Sequence, residues 1–374
     1  MDVGARVRGR FQWTVAVPVA AAALLAVSWS HHEGAVVLSL VAAGVVGAVL
    51  AAVYHAEVIA HHVGEPFGSL ILAVAVTVIE VGLIVMLMTS GGDHTSTYAR
   101  DTVFAAVMIT LNGIVGLSLL LGAGRHHLVS FNASGSGSAL ATVVTLATVT
   151  MVLPSVTVSG EGRQFSPSQL AFAAVASLAL YGSFVFTQTV RHRDFFLPVT
   201  SDELGRVTGI LDEDGDGHAD PLPAREAWLS LGLLLLSLVS VVGLAKLLSP
   251  SIESGVDRLG FPYAVVGVVI ALLVLAPETI SAVRNALHDR VQVSLNLAYG
   301  SAMASIGLTI PTIAVASIWL EGPLELGLGP TQVVLLAITV VVSILTVVQG
   351  RAKGLQGMVH LVLMAAFAFL SIKP

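Results

Sequence analysis

No cysteine occurs anywhere in the 374 residues, so disulfides, thiolate metal sites and cysteine nucleophiles are excluded. Any metal must be held by oxygen or imidazole, which favours hard cations. Charge is scarce as well: only 11% of residues are Asp, Glu, Lys or Arg, whereas 55% are hydrophobic. With a mean hydropathy of +0.90, the chain lies far from the composition of a soluble domain. This is the composition of a polytopic membrane protein. The net charge of −6 leaves no basic footprint for nucleic acid, and the acidic excess gathers in loops. His-Glu-x-x-His and Gly-x-Ser-x-Gly patterns are also missing, so the chain reads as no hydrolase, and no enzyme is expected.

What is present is a series of apolar runs of about 20 residues, the length that crosses roughly 30 Å of hydrocarbon. They predict an all-α protein with about eleven transmembrane helices, at 13–30, 35–56, 67–89, 102–122, 139–159, 170–190, 226–248, 261–283, 291–319, 331–349 and 354–372. The first run follows Arg6, Arg8 and Arg10 and is read as a retained span rather than a signal peptide. Basic residues set the orientation. With the N-terminus in the cytoplasm and the C-terminus outside, twelve of the 17 Lys and Arg residues fall inside, leaving Arg100, Arg163, Lys246, Arg258 and Lys373 outside. The lipid bilayer is thus the first partner, with the cytoplasmic (inner) membrane as the expected location.

Two glutamates, Glu80 and Glu278, lie in the middle of such runs, with no lysine or arginine in either. A carboxylate in hydrocarbon costs roughly 2.5 to 3.5 kcal/mol even on the lenient insertion scale, and marks a functional site by default. The segment from Pro66-Phe67-Gly68 to Thr77-Val78-Ile79-Glu80 resembles the one from Pro262-Tyr263-Ala264 to Leu275-Ala276-Pro277-Glu278. Each glutamate therefore occupies the second helix of a five-helix set. The expected organisation is an N-terminal tail and first helix over 1–34, a first set over 35–190, an acidic cytoplasmic loop over 191–225 and a second set over 226–374. Five is odd, so the two sets enter the membrane in opposite directions, as an inverted repeat. That geometry would place the carboxylates opposite each other near the midplane. There, desolvation and like-charge repulsion favour holding protons until a cation displaces them.

Calcium takes six to eight oxygen ligands, so two glutamates are too few. Thr77 at i−3 from Glu80 and Ser281 at i+3 from Glu278 share a helical face with their carboxylates. Pro277 removes an amide hydrogen and frees the carbonyl of Leu273, and broken backbone at membrane depth is tolerated where it lines a cavity. Asn112, Asn296, Ser301 and Ser305 are the polar positions of the helices that follow. They are candidate ligands or interhelical hydrogen-bonding groups.

Gly64-Glu65-Pro66-Phe67-Gly68-Ser69-Leu70-Ile71-Leu72 running to Glu80 is similar to one alpha repeat of the cation/calcium exchanger superfamily. Ala276-Pro277-Glu278-Thr279-Ile280-Ser281-Ala282-Val283-Arg284, followed by Ser294-Leu295-Asn296-Leu297-Ala298-Tyr299-Gly300-Ser301-Ala302, resembles the other. The resemblance is greatest to calcium/proton antiporters of the ChaA type and covers nearly the whole chain. It implies that Glu80 and Glu278 bind cation and proton in alternation. Calcium, in some members sodium or potassium, would leave the cell against protons, with no cofactor. The pattern departs at Val76-Thr77 and Val274-Leu275, where many members carry Gly-Asn, so two amide ligands are missing. A cation channel without proton coupling is the alternative from another class.

The acidic loop contains Asp212-Glu213-Asp214-Gly215-Asp216-Gly217-His218-Ala219-Asp220, whose Asp212, Asp214, Asp216 and Asp220 match positions of an EF-hand calcium loop. Pro223 stands where the bidentate glutamate belongs, so a regulatory metal loop competes with a solvated acidic linker. Most of the histidines noted in the sequence, His61, His62, His126, His127 and His288 among them, lie at span ends, where hydration accounts for them.

Overall fold

The computed structural model describes residues 3–29, 34–63, 67–89, 95–160, 162–197, 224–319 and 322–374. Among the described residues there are eleven long helices: α1 Val3–Ser28, α2 Ala35–Val63, α3 Phe67–Thr89, α4 Tyr98–His126, α5 Ala133–Ser155, α6 Pro167–Arg191, α7 Ala224–Leu259, α8 Ala264–Leu287, α9 Val291–Ala316, α10 Pro330–Val347 and α11 Gly354–Ile372. Every predicted span coincides with one of them. Among the described residues nine are long and apolar enough to cross a membrane, and shorter apolar stretches, Trp13–Ser28 and Ala73–Thr89, lie within α1 and α3. Only helices meet this demand without a closed barrel, because hydrocarbon offers the backbone no hydrogen-bond partner. The sequence marks the helix starts plainly. Ser166-Pro167, Gly329-Pro330 and Lys353-Gly354 each precede a glutamine whose side chain accepts from the cap amide, at 3.0, 2.8 and 3.0 Å respectively.

The chain forms two compact units, each drawing on both halves of the sequence: Met1–Met86 with Asp202–Ile252, and Leu87–Ser201 with Glu253–Pro374. In the first, glycines set the helix spacing. A Cβ at Gly44 would lie 2.8 Å from Leu24 and 3.1 Å from Leu244, one at Gly243 would lie 2.6 Å from Leu25, and one at Gly82 would lie 2.7 Å from Val242. Small residues let α1, α2, α3 and α7 approach closely where apolar surface gains nothing by leaving lipid. His55 of α2 adds a buried polar tie, its Nε2 lying 3.0 Å from the Thr14 carbonyl of α1.

The second unit holds α4–α6 and α8–α11. Here α4 and α11 touch through backbone: a Cβ at Gly357 would stand 2.5 Å from the Leu120 nitrogen and 2.7 Å from the Gly116 oxygen. Gly357→Val therefore has to push two backbones apart. We expect a loss of about 1–3 kcal/mol, read as a lowered melting temperature in detergent. Two π-helical turns interrupt this unit's spans, Ile109–Ile114 in α4 and Thr148–Val152 in α5, and a third, Thr187–Arg191, ends α6. Pro277 leaves α8 helical from Ala264 to Leu287, so the lost amide partner of Leu273 opens no break.

Among the described residues, the strand pairings are confined to loops, and the sequence did not announce them. β1 (Val129–Ser130) runs antiparallel to β2 (Arg351–Ala352), joining the α4–α5 loop to the α10–α11 loop. Gly350 makes the preceding turn at φ 64°, and its carbonyl accepts from the Phe131 amide at 2.9 Å. A single bridge between Gln164 and Glu325 joins the α5–α6 loop to the α9–α10 loop, reinforced by Gly327 N to Arg163 O at 3.0 Å.

Candidate cation site

Glu80 sits on α3 in the first unit with 2% of its surface exposed, and Thr77, one turn earlier, is buried too. No basic residue occurs on α3, and Gly82 brings α7 close at Val242 just beyond the carboxylate. Burial at this depth makes the carboxylate a costly group to keep unless it serves a purpose.

Glu278 sits on α8 in the second unit with 7% exposed, and the helix's single basic residue, Arg284, lies in its last turn. The Thr279 hydroxyl donates to the Leu275 carbonyl at 2.7 Å. Ser281 and Leu273 are partly buried on the same helix. One turn past the glutamate, the Ser294 hydroxyl donates to the Ala282 carbonyl at 2.6 Å and pins the start of α9 against α8. Gly267 lets α8 approach α4 so closely that a Cβ would lie 2.9 Å from the Thr102 nitrogen.

The polar candidates on α4 and α9 are heavily engaged. Asn112 lies in the π turn of α4, donates through Nδ2 to Thr339 Oγ1 of α10 at 3.0 Å, and has its Oδ1 3.2 Å from His360 Nδ1 of α11. A single π turn within a span is frequently a functional feature. Asn296 donates to the Phe196 carbonyl at 2.6 Å and accepts from Gln292 Nε2 at 2.7 Å, so it fastens the segment after α6 to the start of α9. Gln292 also accepts from the Asn132 amide at 2.6 Å. Further along α9, Ser301 is half-buried and Ser305 buried. Asp212, Asp214, Asp216 and Asp220 lie outside the described residues.

Sequence reading passed over His360, Thr339 and Gln292. The available signal was position: His360 is a histidine inside an apolar run, 354–372, rather than at its end. Among the described residues no three His, Asp or Glu side chains gather as a metal-holding group. A cation bound here needs hydroxyl, amide or backbone oxygens beside its carboxylates.

Comparison with known proteins places this geometry in a family. The sequence profile described as sodium/calcium exchanger protein matches residues 33–190 and 229–373. The y4hA protein of Sinorhizobium fredii is 45% identical over 97% of this chain and 96% of its own length. The sodium-potassium/proton antiporter ChaA of Escherichia coli is 33% identical over 87% of this chain and 85% of its own length. In fold, the chain resembles native YfkE, with a TM-score of 0.73 at 16% identity over 96% of this chain and 100% of that one. It also resembles the H+/Ca2+ exchanger CAX, with a TM-score of 0.65 at 14% identity over 97% and 93%.

Proposed function

This chain belongs to the sodium/calcium exchanger protein family, and we propose that within it the protein exchanges protons for calcium across the cytoplasmic membrane by alternating access. The observation that carries this reading is a pair of buried carboxylates, Glu80 and Glu278, each late in the second helix of one five-helix set. The stretches matched by the family profile coincide with those sets, which supports an inverted repeat. Each carboxylate gives up its proton as a cation arrives from one side. The helices then rearrange, the cation leaves on the other side, and protons return. Thr77 shares the helical face of Glu80, and Ser281 and the Leu273 carbonyl lie on the helix of Glu278; Asn112, Ser301 and Ser305 are the further oxygen-bearing candidates of the helices that follow. A second reading, sodium or potassium in place of calcium, is favoured by the likeness to the Escherichia coli antiporter.

The test is cation-driven proton release from acidified everted vesicles, comparing calcium, sodium, potassium and magnesium. A calcium response establishes the proposal, a response to sodium or potassium alone selects the second reading, and cation flux without proton movement leaves a channel.

Orientation has its own test. Arg125, Arg284, Arg290, Arg351 and Lys353 lie at the β1–β2 side, against Arg100, Arg163 and Arg258 toward the other, an excess of basic residues that supports a cytoplasmic N-terminus. The cysteine-free chain is a ready background for labelling. Ser130→Cys should react with an impermeant maleimide only in everted vesicles, and Gln164→Cys only in intact cells or right-side-out vesicles; the reverse pattern overturns the topology.

A further inference from the structure

Asn112, Thr339 and His360 come from three different helices, α4, α10 and α11, and all three are fully buried, at 0% exposure. A buried carboxamide costs free energy unless both its ends are paired, and here both are. Its NH2 donates to Thr339 Oγ1, whose own proton is directed to Met108 Sδ at 3.8 Å. Its oxygen can only accept, so His360 Nδ1 must carry the hydrogen across the 3.2 Å separation. In the neutral ring Nε2 is then the acceptor, and the Thr346 hydroxyl lies 3.2 Å from it while its one proton is shared with the Val342 carbonyl at 2.9 Å. The Leu111 carbonyl, in the same π turn as Asn112, also faces the ring.

The consequence is directional. His360 is the group that tells the oxygen end of Asn112 from its nitrogen end, and Thr339, able to donate or accept, follows. Without a donor at Nδ1 the amide is free to turn over. The α10 face has capacity to accommodate such a turn, because the buried Ser343 hydroxyl, between Thr339 and Thr346 on that face, has no partner among the described residues.

We propose that His360 is a positioning residue for transport: through Nδ1 it fixes which end of the Asn112 amide the wide turn of α4 presents, and thereby sets cation affinity without touching the cation. This rests on the reading of Asn112 as a group the cation meets.

Four substitutions separate positioning from mere packing. His360→Asn retains an amide near the Nδ1 position and so keeps a donor for Asn112, whereas His360→Gln retains one near Nε2 and releases Asn112. Thr339→Val removes the partner of the amide nitrogen at constant shape, and Thr346→Val removes only the far partner of the ring. In everted vesicles, with the cation that the wild type moves best, His360→Gln should raise KM about tenfold with maximal rate within about twofold, the size of one hydrogen bond, whereas Thr339→Val leaves the Nδ1 donor in place and should stay within about threefold. His360→Asn and Thr346→Val should stay within about threefold of the wild-type KM. Equilibrium binding of the same cation to purified protein should show the same split, and melting temperatures in detergent serve as the folding control. Equal KM in all four variants overturns the proposal. So does a KM rise that follows loss of thermal stability regardless of which ring nitrogen was replaced. A wild type that moves and binds no cation overturns the antiport reading, and this one with it.

Discussion

Glu278→Gln is expected to abolish cation-driven proton release in everted vesicles, by at least about 100-fold, and Glu80→Gln to do the same, while both proteins should insert, fold and melt close to the wild type. Glutamine matches glutamate in shape but neither holds a transferable proton nor brings a negative charge to a divalent ion, so both halves of the exchange fail together. A carbonyl ligand remains, yet the loss of one full charge from a dehydrated site removes at least two orders of magnitude, about 2.7 kcal/mol, of cation binding. Stability should hold or rise, because the substitution removes a carboxylate that is buried at 2% and 7% exposure and expensive to keep in hydrocarbon. The combination of intact folding and lost exchange is the informative one. Substantial exchange in either variant removes that carboxylate from the mechanism, and unfolding of both would assign the pair to structure. Glu→Asp at each site adds a graded check: the charge stays but retreats by one methylene, so partial activity is expected where glutamine gives none.

Why the spans were legible and their joints were not follows from the range of the forces involved. A membrane helix is dictated by a local property, some 20 apolar residues in a row, so all eleven helices coincide with predicted runs, and the turn chemistry at Ser166-Pro167 and Gly329-Pro330 marks starts that composition alone leaves vague. The positions of Glu80 and Glu278 within apolar runs were equally local signals. What remained hidden depends on residues far apart in sequence. That Gly357 faces Gly116, that Val129 pairs with Ala352, or that Asn112 of α4 is held by Thr339 and His360 requires the packing of three helices, which no single run specifies. The π turn at Ile109–Ile114 contains no proline, and although Thr110, Asn112 and Gly113 mark it as polar and small, nothing in that pattern specifies a widened turn rather than a regular one. Pro277 is the converse case, a strong local signal for a break that the surrounding helices override: α8 continues through it, as spans often do when neighbours accommodate the freed carbonyl.

The loop pairings also bear on the repeat. Exchanging each helix of the first five-helix set for its counterpart in the second turns the α4–α5 with α10–α11 pairing into the α9–α10 with α5–α6 pairing, and both pairings are present. Counting spans puts them on opposite sides of the membrane. An inverted repeat requires this correspondence, whereas a parallel one would put both pairings on the same side.

Arg100→Met should be the most damaging substitution at the rim of the second unit. Arg100 Nε donates to Asp101 Oδ1 at 2.9 Å, with side chains 11% and 4% exposed, and Nη1 reaches the Gly327 carbonyl at 3.4 Å. Gln332 Nε2 gives Asp101 Oδ1 a second donor at 3.4 Å. Around them lies a cavity of about 220 Å³ lined by Pro262, Leu335 and Phe367 together with Thr331, Gln332 and Ser371. Methionine fills part of the arginine's volume but strands Asp101, and leaving one partner of a buried pair uncompensated costs roughly 3 kcal/mol. The link from Arg100 to Glu325 contributes far less, since its N···O distance is 3.8 Å and the glutamate is 31% exposed, so Glu325→Gln should cost under about 1 kcal/mol. A double-mutant cycle decides between these accounts. If the damage is a stranded charge, Arg100→Met with Asp101→Asn melts well above Arg100→Met alone, with a coupling of more than about 1 kcal/mol. If the damage comes from lost packing of the arginine stem, the asparagine restores nothing and the two effects add. A single Arg100→Met variant with the wild-type melting temperature would show that solvent already reaches Asp101, and the pair would then contribute no more than an exposed one.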